Sequence, residues 1–114
     1  MSDGTVNITA LIIALYFEKS PIVIIEEPER NVHPSLISKV ASLLKDASRK
    51  KQVIVTTHNP DIIKHIDLEN LLLITREIDG FSTVCLPADK EYVKAFLAND
   101  IGVEDLFIQN LLGV

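Results

Sequence analysis

The sequence predicts an α/β fold, on three observations. An apolar, β-branched run from Ile22 to Ile25 ends in Glu26-Glu27, and a second run, Val53 to Thr57, ends in His58-Asn59-Pro60. The stretch between them has helical periodicity, which fits two neighbouring parallel strands joined by a helical crossover. Farther along, two more apolar runs flank Asp79-Gly80, a two-residue turn signal that predicts a β-hairpin at or beyond the sheet edge. In parallel sheets the ligand site lies outside the carboxyl ends of the strands. Glu26, Glu27 and His58 therefore project from the edge where chemistry is expected.

Taken in order, Ser2-Asp3-Gly4-Thr5 reads as a polar cap before an apolar helix running to about Glu18. Lys19-Ser20-Pro21 breaks that helix, and the first strand follows. Pro28 to Pro34 is a charged loop, with Pro34 placed as the first residue of the next helix. Ser35 to about Lys50 carries Leu36, Ile37, Val40, Leu43 and Leu44 at helical spacing. The second strand covers Gln52 to Thr57. Asn59 then caps a short helix through Ile66, with Pro60 at its first position. Leu71–Thr75 and Phe81–Leu86 form the hairpin. Asp89 to about Ala98 and Val103 to Leu112 read as two last helices. No repeat, low-complexity segment or interdomain linker interrupts this order.

At 114 residues the chain is one domain at most. Its hydrophobic fraction is 47% and its mean hydropathy +0.27, high for a chain with so little interior. Some of that apolar surface is expected to pack against a partner. No apolar stretch approaches the roughly 20 residues of a membrane helix, and no secretory leader is recognisable. The single cysteine, Cys85, excludes an internal disulfide and a cysteine-based zinc site, so a cytoplasmic location is expected. Net charge is −5. The only dense basic cluster, Arg49-Lys50-Lys51, sits where it complements a helix dipole, and direct nucleic-acid binding by this segment is not expected.

With these motifs placed, the chain resembles the C-terminal half of an ATPase head of the ABC superfamily, in the RecF/SMC/OLD-like branch of AAA-type ATP-binding proteins. Ser2-Asp3-Gly4-Thr5 is similar to the signature loop, Ile22–Glu27 to the Walker B strand, and His58 to the switch histidine. Pro28-Glu29-Arg30-Asn31-Val32-His33-Pro34 resembles the Pro-Glu-x-x-x-His-Pro segment in the D-loop region of that branch. The order and spacing of all four match, over Met1 to Pro60. The resemblance implies a P-loop NTPase-like, three-layer αβα architecture, with residues 1–114 forming its C-terminal lobe: parallel strands followed by the hairpin.

The same resemblance implies roles. Phosphoryl transfer to water needs a positioned nucleotide, a metal to neutralise its charge and an oriented water. Glu26 holds the Walker B position that supports Mg²⁺, commonly through a water; most of the superfamily has Asp there, and the longer Glu suits water-mediated contact. Glu27 would polarise the attacking water, and His58 would contact the γ-phosphate of ATP. Ser2 and Gly4 would face the ATP held by a second head, a homodimeric partner, with Gly4 allowing close approach and Ser2 offering a hydroxyl. Asp3 and Thr5 would cap the helix. His33 and Pro34 belong to the dimer-facing loop or to a structural turn.

No Gly-x-x-x-x-Gly-Lys-Ser/Thr occurs in the chain, so the main phosphate cradle is missing, and no Gln-loop is recognisable. The expectation is a fragment whose partner is an N-terminal Walker A lobe, able to hydrolyse ATP only when that lobe completes it. The alternative is a non-catalytic lobe acting as a protein-interaction module. A transporter domain fits less well, since its D-loop usually reads Ser-Ala-Leu-Asp where this chain has Arg30-Asn31-Val32-His33. A nuclease of the Toprim type also fits poorly, because no Asp-x-Asp follows Pro60 and Glu104-Asp105 reads as a charged first helical turn.

Overall fold

The computed structural model describes residues 3–89, together with Gly102, Phe107 and Ile108. The chain divides into two compact units, Met1–Ile62 and Ile63–Val114. The first opens with helix α1, Asp3–Ile12, which continues as a π-helical stretch over Ile13–Phe17. The Glu18 N–H closes that stretch on the Ile13 carbonyl at 3.1 Å. The periodic apolar segment is thus helical over almost the expected span, but its last turn is widened. Lys51 reaches that end: its Nζ donates to the Glu18 carbonyl at 2.7 Å and to the Ala14 carbonyl at 3.5 Å. One member of the basic cluster therefore serves the carbonyls that end the first helix.

Strands β1, Ile22–Glu26, and β2, Gln52–Thr56, pair in parallel with Ile22 opposite Gln52 and Glu26 opposite Thr56. The shared register puts Val23, Ile25, Val53 and Val55 on one face, half-buried, and Ile22, Ile24 and Ile54 on the other. That second face is exposed, Ile24 to 67%. Parallel strands are ordinarily covered on both faces, so this unit presents an apolar sheet face to solvent.

Between the strands, Pro34–Leu36 forms a 3₁₀ turn that leads into α2, Ile37–Ala47. The helix starts later than the periodicity suggests because the His33 ring accepts the Ser35 N–H at 3.2 Å and tightens the first turn. Ile37, Val40, Ala41, Leu44 and Ala47 are buried, a spacing that marks one helical face. With Leu11, Leu15, Val32 and Ile62 they make the core of this unit, each large aliphatic side chain contributing about 1.5–3 kcal/mol. Tyr16 ties the widened turn to α2 by donating its hydroxyl to Asp46 Oδ2 at 2.9 Å.

Helix α3, Pro60–Ile63, lies at the division between the units. The Asn59 side chain accepts the Asp61 N–H at 2.8 Å, the expected cap. The helix ends sooner than expected, since the Ile66 N–H turns back to the Ile63 carbonyl, and His65 is half-buried in that turn. In the second unit a 3₁₀ turn, Leu68–Asn70, holds Leu71 by its N–H and so delays the next strand. β3, Leu73–Arg76, and β4, Ser82–Cys85, form an antiparallel hairpin with its own two-stranded sheet. Its connection is a three-residue loop rather than the expected two, because Glu77 pairs with Phe81 across it. Gly80, at φ 92°, takes the left-handed position that such a loop requires. A further 3₁₀ turn covers Pro87–Asp89. The last two expected helices fall outside the described residues, except that Phe107 and Ile108 are helical.

Partial burial of the phenol, then the hydrogen bond and charge of Asp46, raise the Tyr16 pKa above its ordinary 10.0. A raised folded value means the stabilisation is fully present below pH 10 and is lost as pH climbs past it. Tyr16→Phe is expected to cost about 0.5 kcal/mol at pH 7, at the low end for a hydrogen bond because the residue is partly exposed. Urea unfolding at pH 7 and above pH 10 checks this. The difference between the two proteins should shrink at the higher pH, and a constant difference would contradict it.

Candidate functional site

The candidate site is built at the carboxyl edge of the parallel pair. β1 ends at Glu26, whose side chain lies on the exposed sheet face with Ile22 and Ile24. One residue later the backbone leaves the strand: Glu27 has φ 45°, a left-handed conformation costly for a non-glycine residue. Its N–H still donates to the Thr56 carbonyl at 2.7 Å, which anchors the turn to β2. The Glu27 carboxylate then meets the His58 ring, with Oε1 to Nδ1 at 2.7 Å. A carboxylate only accepts, so the ring nitrogen is the donor in that bond. Most of the His58 side chain, 84%, is exposed, against 33% for Glu27. Two residues that follow separate strands are thus brought together where a ligand has access, and Glu26 stands one residue before Glu27, on the exposed sheet face.

A third acidic residue, Glu29, lies two positions beyond Glu27 in the same loop. Glu29 is 7% exposed, the one buried charged side chain among the described residues. Its Oε1 accepts the Thr57 hydroxyl at 2.6 Å, while its Oε2 is buried without a hydrogen-bond partner. The Thr57 oxygen in turn accepts the Asn59 N–H at 3.0 Å. The residues on both sides of His58 are therefore bound to one another and to the loop that follows Glu27.

That loop is also held from α1. The Asn7 amide donates to the Arg30 carbonyl at 2.8 Å, and Asn31 adopts φ 60°. Gly4 lies so close to this turn that a Cβ there would sit 2.5 Å from the Asn31 carbonyl oxygen. The glycine expected to admit a phosphate of a second head thus has a structural use within its own chain. Ser2 lies outside the described residues. His33 is exposed; its Nδ1 contacts the Ser35 hydroxyl at 2.8 Å and accepts the Ser35 N–H, and Pro34 follows at the start of the 3₁₀ turn. An open depression of about 350 Å³ lies between the start of α1 and this loop, with Gly4, Asn31 and His33 among its walls.

Among the described residues no three of His, Cys, Asp and Glu cluster as a complete metal cage. Mg²⁺ does not require such a cage, since it keeps several waters and is usually held by one or two carboxylates together with substrate phosphates. Glu26 offers one exposed carboxylate at this edge, where such an ion would need phosphate and water to complete its shell. Among the described residues no helix is long and apolar enough to cross a membrane.

A family model described as "AAA domain, putative AbiEii toxin, Type IV TA system" matches residues 1–64. The chain belongs to that family. The matched stretch takes in every candidate residue from Ser2 to His58, and the hairpin lies beyond it. The chain is also similar to the Septu protein PtuA of Bacillus mycoides strain KBAB4, 34% identical over 103 residues. That match covers 81% of this chain but only 14% of the length of the relative. A solved structure from work on ATP-driven dimerisation and DNA-stimulated activation of SMC ATPases matches with a TM-score of 0.64 and 21% identity. It covers 88% of this chain and 61% of that one. This likeness supports the fold alone; with the family match it bears out the resemblance to an ABC/SMC-like ATPase head.

Replacing Gly4 with Ala forces the Asn31 turn to move, since the obstructing atom is backbone. We expect a loss of about 1–3 kcal/mol in urea unfolding, the usual range for overpacking. An unchanged midpoint would mean that the turn yields freely.

Proposed function

We propose that this chain supplies the Walker B and switch half of an ATP-hydrolysing head, which a P-loop lobe completes and which pairs with a second head on binding ATP. The observation that carries this reading is the Glu27–His58 contact at the carboxyl edge of two parallel strands, where such sheets bind their ligands. Glu27 would orient and polarise the water that attacks the γ-phosphate. In the structure its carboxylate is engaged by His58, so it becomes available to water when the ring turns to the γ-phosphate. Glu26 would hold Mg²⁺, through a water, and the ion would supply neutralisation of phosphate charge. Ser2 and Gly4 would face the nucleotide of the second head, and His33 and Pro34 would lie in the loop between heads. The family description and the SMC likeness favour a defence or DNA-maintenance role for the complete ATPase.

A second reading, a non-catalytic lobe that binds a partner, draws on the exposed face of Ile22, Ile24 and Ile54. The two separate on one experiment. Mg-ATP turnover is measured for the chain alone, for the chain with a P-loop lobe from the same ATPase, and for that assembly with Glu27→Gln. The chain alone should be inactive. Turnover should appear on assembly and fall by about 10²-fold or more in the variant, the scale of a lost general base. An assembly that binds but never turns over ATP would favour the interaction module.

A further inference from the structure

We infer that Glu29 and Thr57 form a positioning clamp for the switch histidine, an inference that rests on the ATPase reading for its consequence but not for its geometry. His58 is largely exposed, and the hydrogen bond that its side chain makes in the structure is to Glu27. Its placement therefore depends on the backbone around it. That backbone is held at Thr57, whose single hydroxyl hydrogen goes to Glu29 Oε1 at 2.6 Å while its oxygen takes the Asn59 N–H. A hydroxyl with its hydrogen committed to a buried acceptor has a fixed orientation, so the lone pair it offers Asn59 is fixed as well. The turn Thr57-His58-Asn59 is set by this relay.

Glu29 itself is set by the loop that starts at Glu27. The Glu27 N–H is bound to Thr56, the Arg30 N–H to the Glu27 carbonyl at 3.0 Å, and the Val32 N–H to the Glu29 carbonyl at 3.1 Å. The loop carrying Glu27 and the turn carrying His58 are thus joined twice, through Thr56 on the backbone and through Thr57 on the side chains. The second link works by placing a carboxylate in the interior with one oxygen unpaired. Such a group costs free energy on burial, and a Thr or Ser would bond Thr57 at less cost. A short, charged acceptor makes the Thr57 hydrogen bond stronger and more directional than a neutral one would. Glu29 acts through Thr57 and touches neither water nor nucleotide in this scheme.

The test uses the imidazole nitrogen resonances of His58 in the intact chain, with Glu27→Ala, which removes the acceptor, as the reference for a broken Glu27–His58 bond. Glu29→Ala and Thr57→Val should move the Nδ1 resonance toward its Glu27→Ala position, Thr57→Ser should keep it at the wild-type position, and Glu29→Gln, which retains an acceptor, should move it less than Glu29→Ala. If Thr57→Val fails to fold, Glu29→Gln against Glu29→Ala still provides the comparison. In the assembly with a P-loop lobe, Glu29→Ala should lower kcat about tenfold or more with KM for ATP little changed, the effect of misplacing a group rather than losing a binding contact. A His58 resonance that ignores Glu29 and Thr57 while responding to Glu27→Ala overturns the clamp and leaves the ATPase reading intact. A resonance that follows the clamp, with no turnover in the assembly with a P-loop lobe, keeps the clamp and removes the ATPase reading.

Discussion

The parallel register that sets Glu26 opposite Thr56 is closed by the last ladder bond, from the Glu27 N–H to the Thr56 carbonyl at 2.7 Å. This bond fixes the place at which the chain leaves the sheet, and the rest of the candidate site is built from there. Had the strand gone on, Glu27 would follow the alternation of β1. Instead the backbone turns through φ 45° at Glu27 and the carboxylate meets His58 at 2.7 Å. The strain of that conformation, on the order of 1–3 kcal/mol, is offset by the backbone bond and by the buried loop that follows, where Pro28, Glu29 and Val32 are all buried. A strained residue held by its surroundings is a common arrangement at functional sites.

The loop from Pro28 to Pro34 is where three constraints meet. Thr57 holds it from β2, Asn7 and Gly4 bound it from α1, and the His33 ring starts the turn into α2. The start of α1 and the end of β1 are therefore parts of one packed arrangement. On the ATPase reading these are the segments that face the two nucleotides of a dimer, and their packing within a single chain gives a physical connection between them. The exposed apolar face of the parallel pair is the other consequence of the strand register. Burying Ile22, Ile24 and Ile54 against a partner would gain free energy at about 25 cal/mol per Å², which suits a lobe that functions in a larger body.

Much of this was legible in the residues. β-branched runs bounded by Pro, Glu and His marked both strands to within a residue, and Asn59-Pro60 marked the cap and start of α3. The runs also put Glu27 and His58 at the carboxyl ends of neighbouring strands, while their direct contact came only with the fold. Other features leave no one-dimensional trace. Widening of the first helix at Ile13–Phe17 depends on Tyr16 and Lys51 finding partners far away in sequence. The hairpin loop gained a residue because a left-handed Gly80 serves two- and three-residue connections alike. Glu29 was unreadable for a sharper reason: a glutamate in a charged loop is ordinarily solvated, and only the fold brings Thr57 over it. Gly4 has a use within its own chain that the sequence does not show, since a side chain there would meet the Asn31 carbonyl.

The most direct test of the central claim, that Glu27 and His58 face the reacting end of ATP, is a crystal structure of the assembly with its P-loop lobe, Mg²⁺ and a non-hydrolysable ATP analogue. The γ-phosphate should lie at the carboxyl edge of β1 and β2, with the His58 ring turned from Glu27 onto a γ-phosphate oxygen and a water between Glu27 and the phosphorus. A nucleotide bound elsewhere, with the Glu27–His58 bond unchanged from its present 2.7 Å, would contradict it.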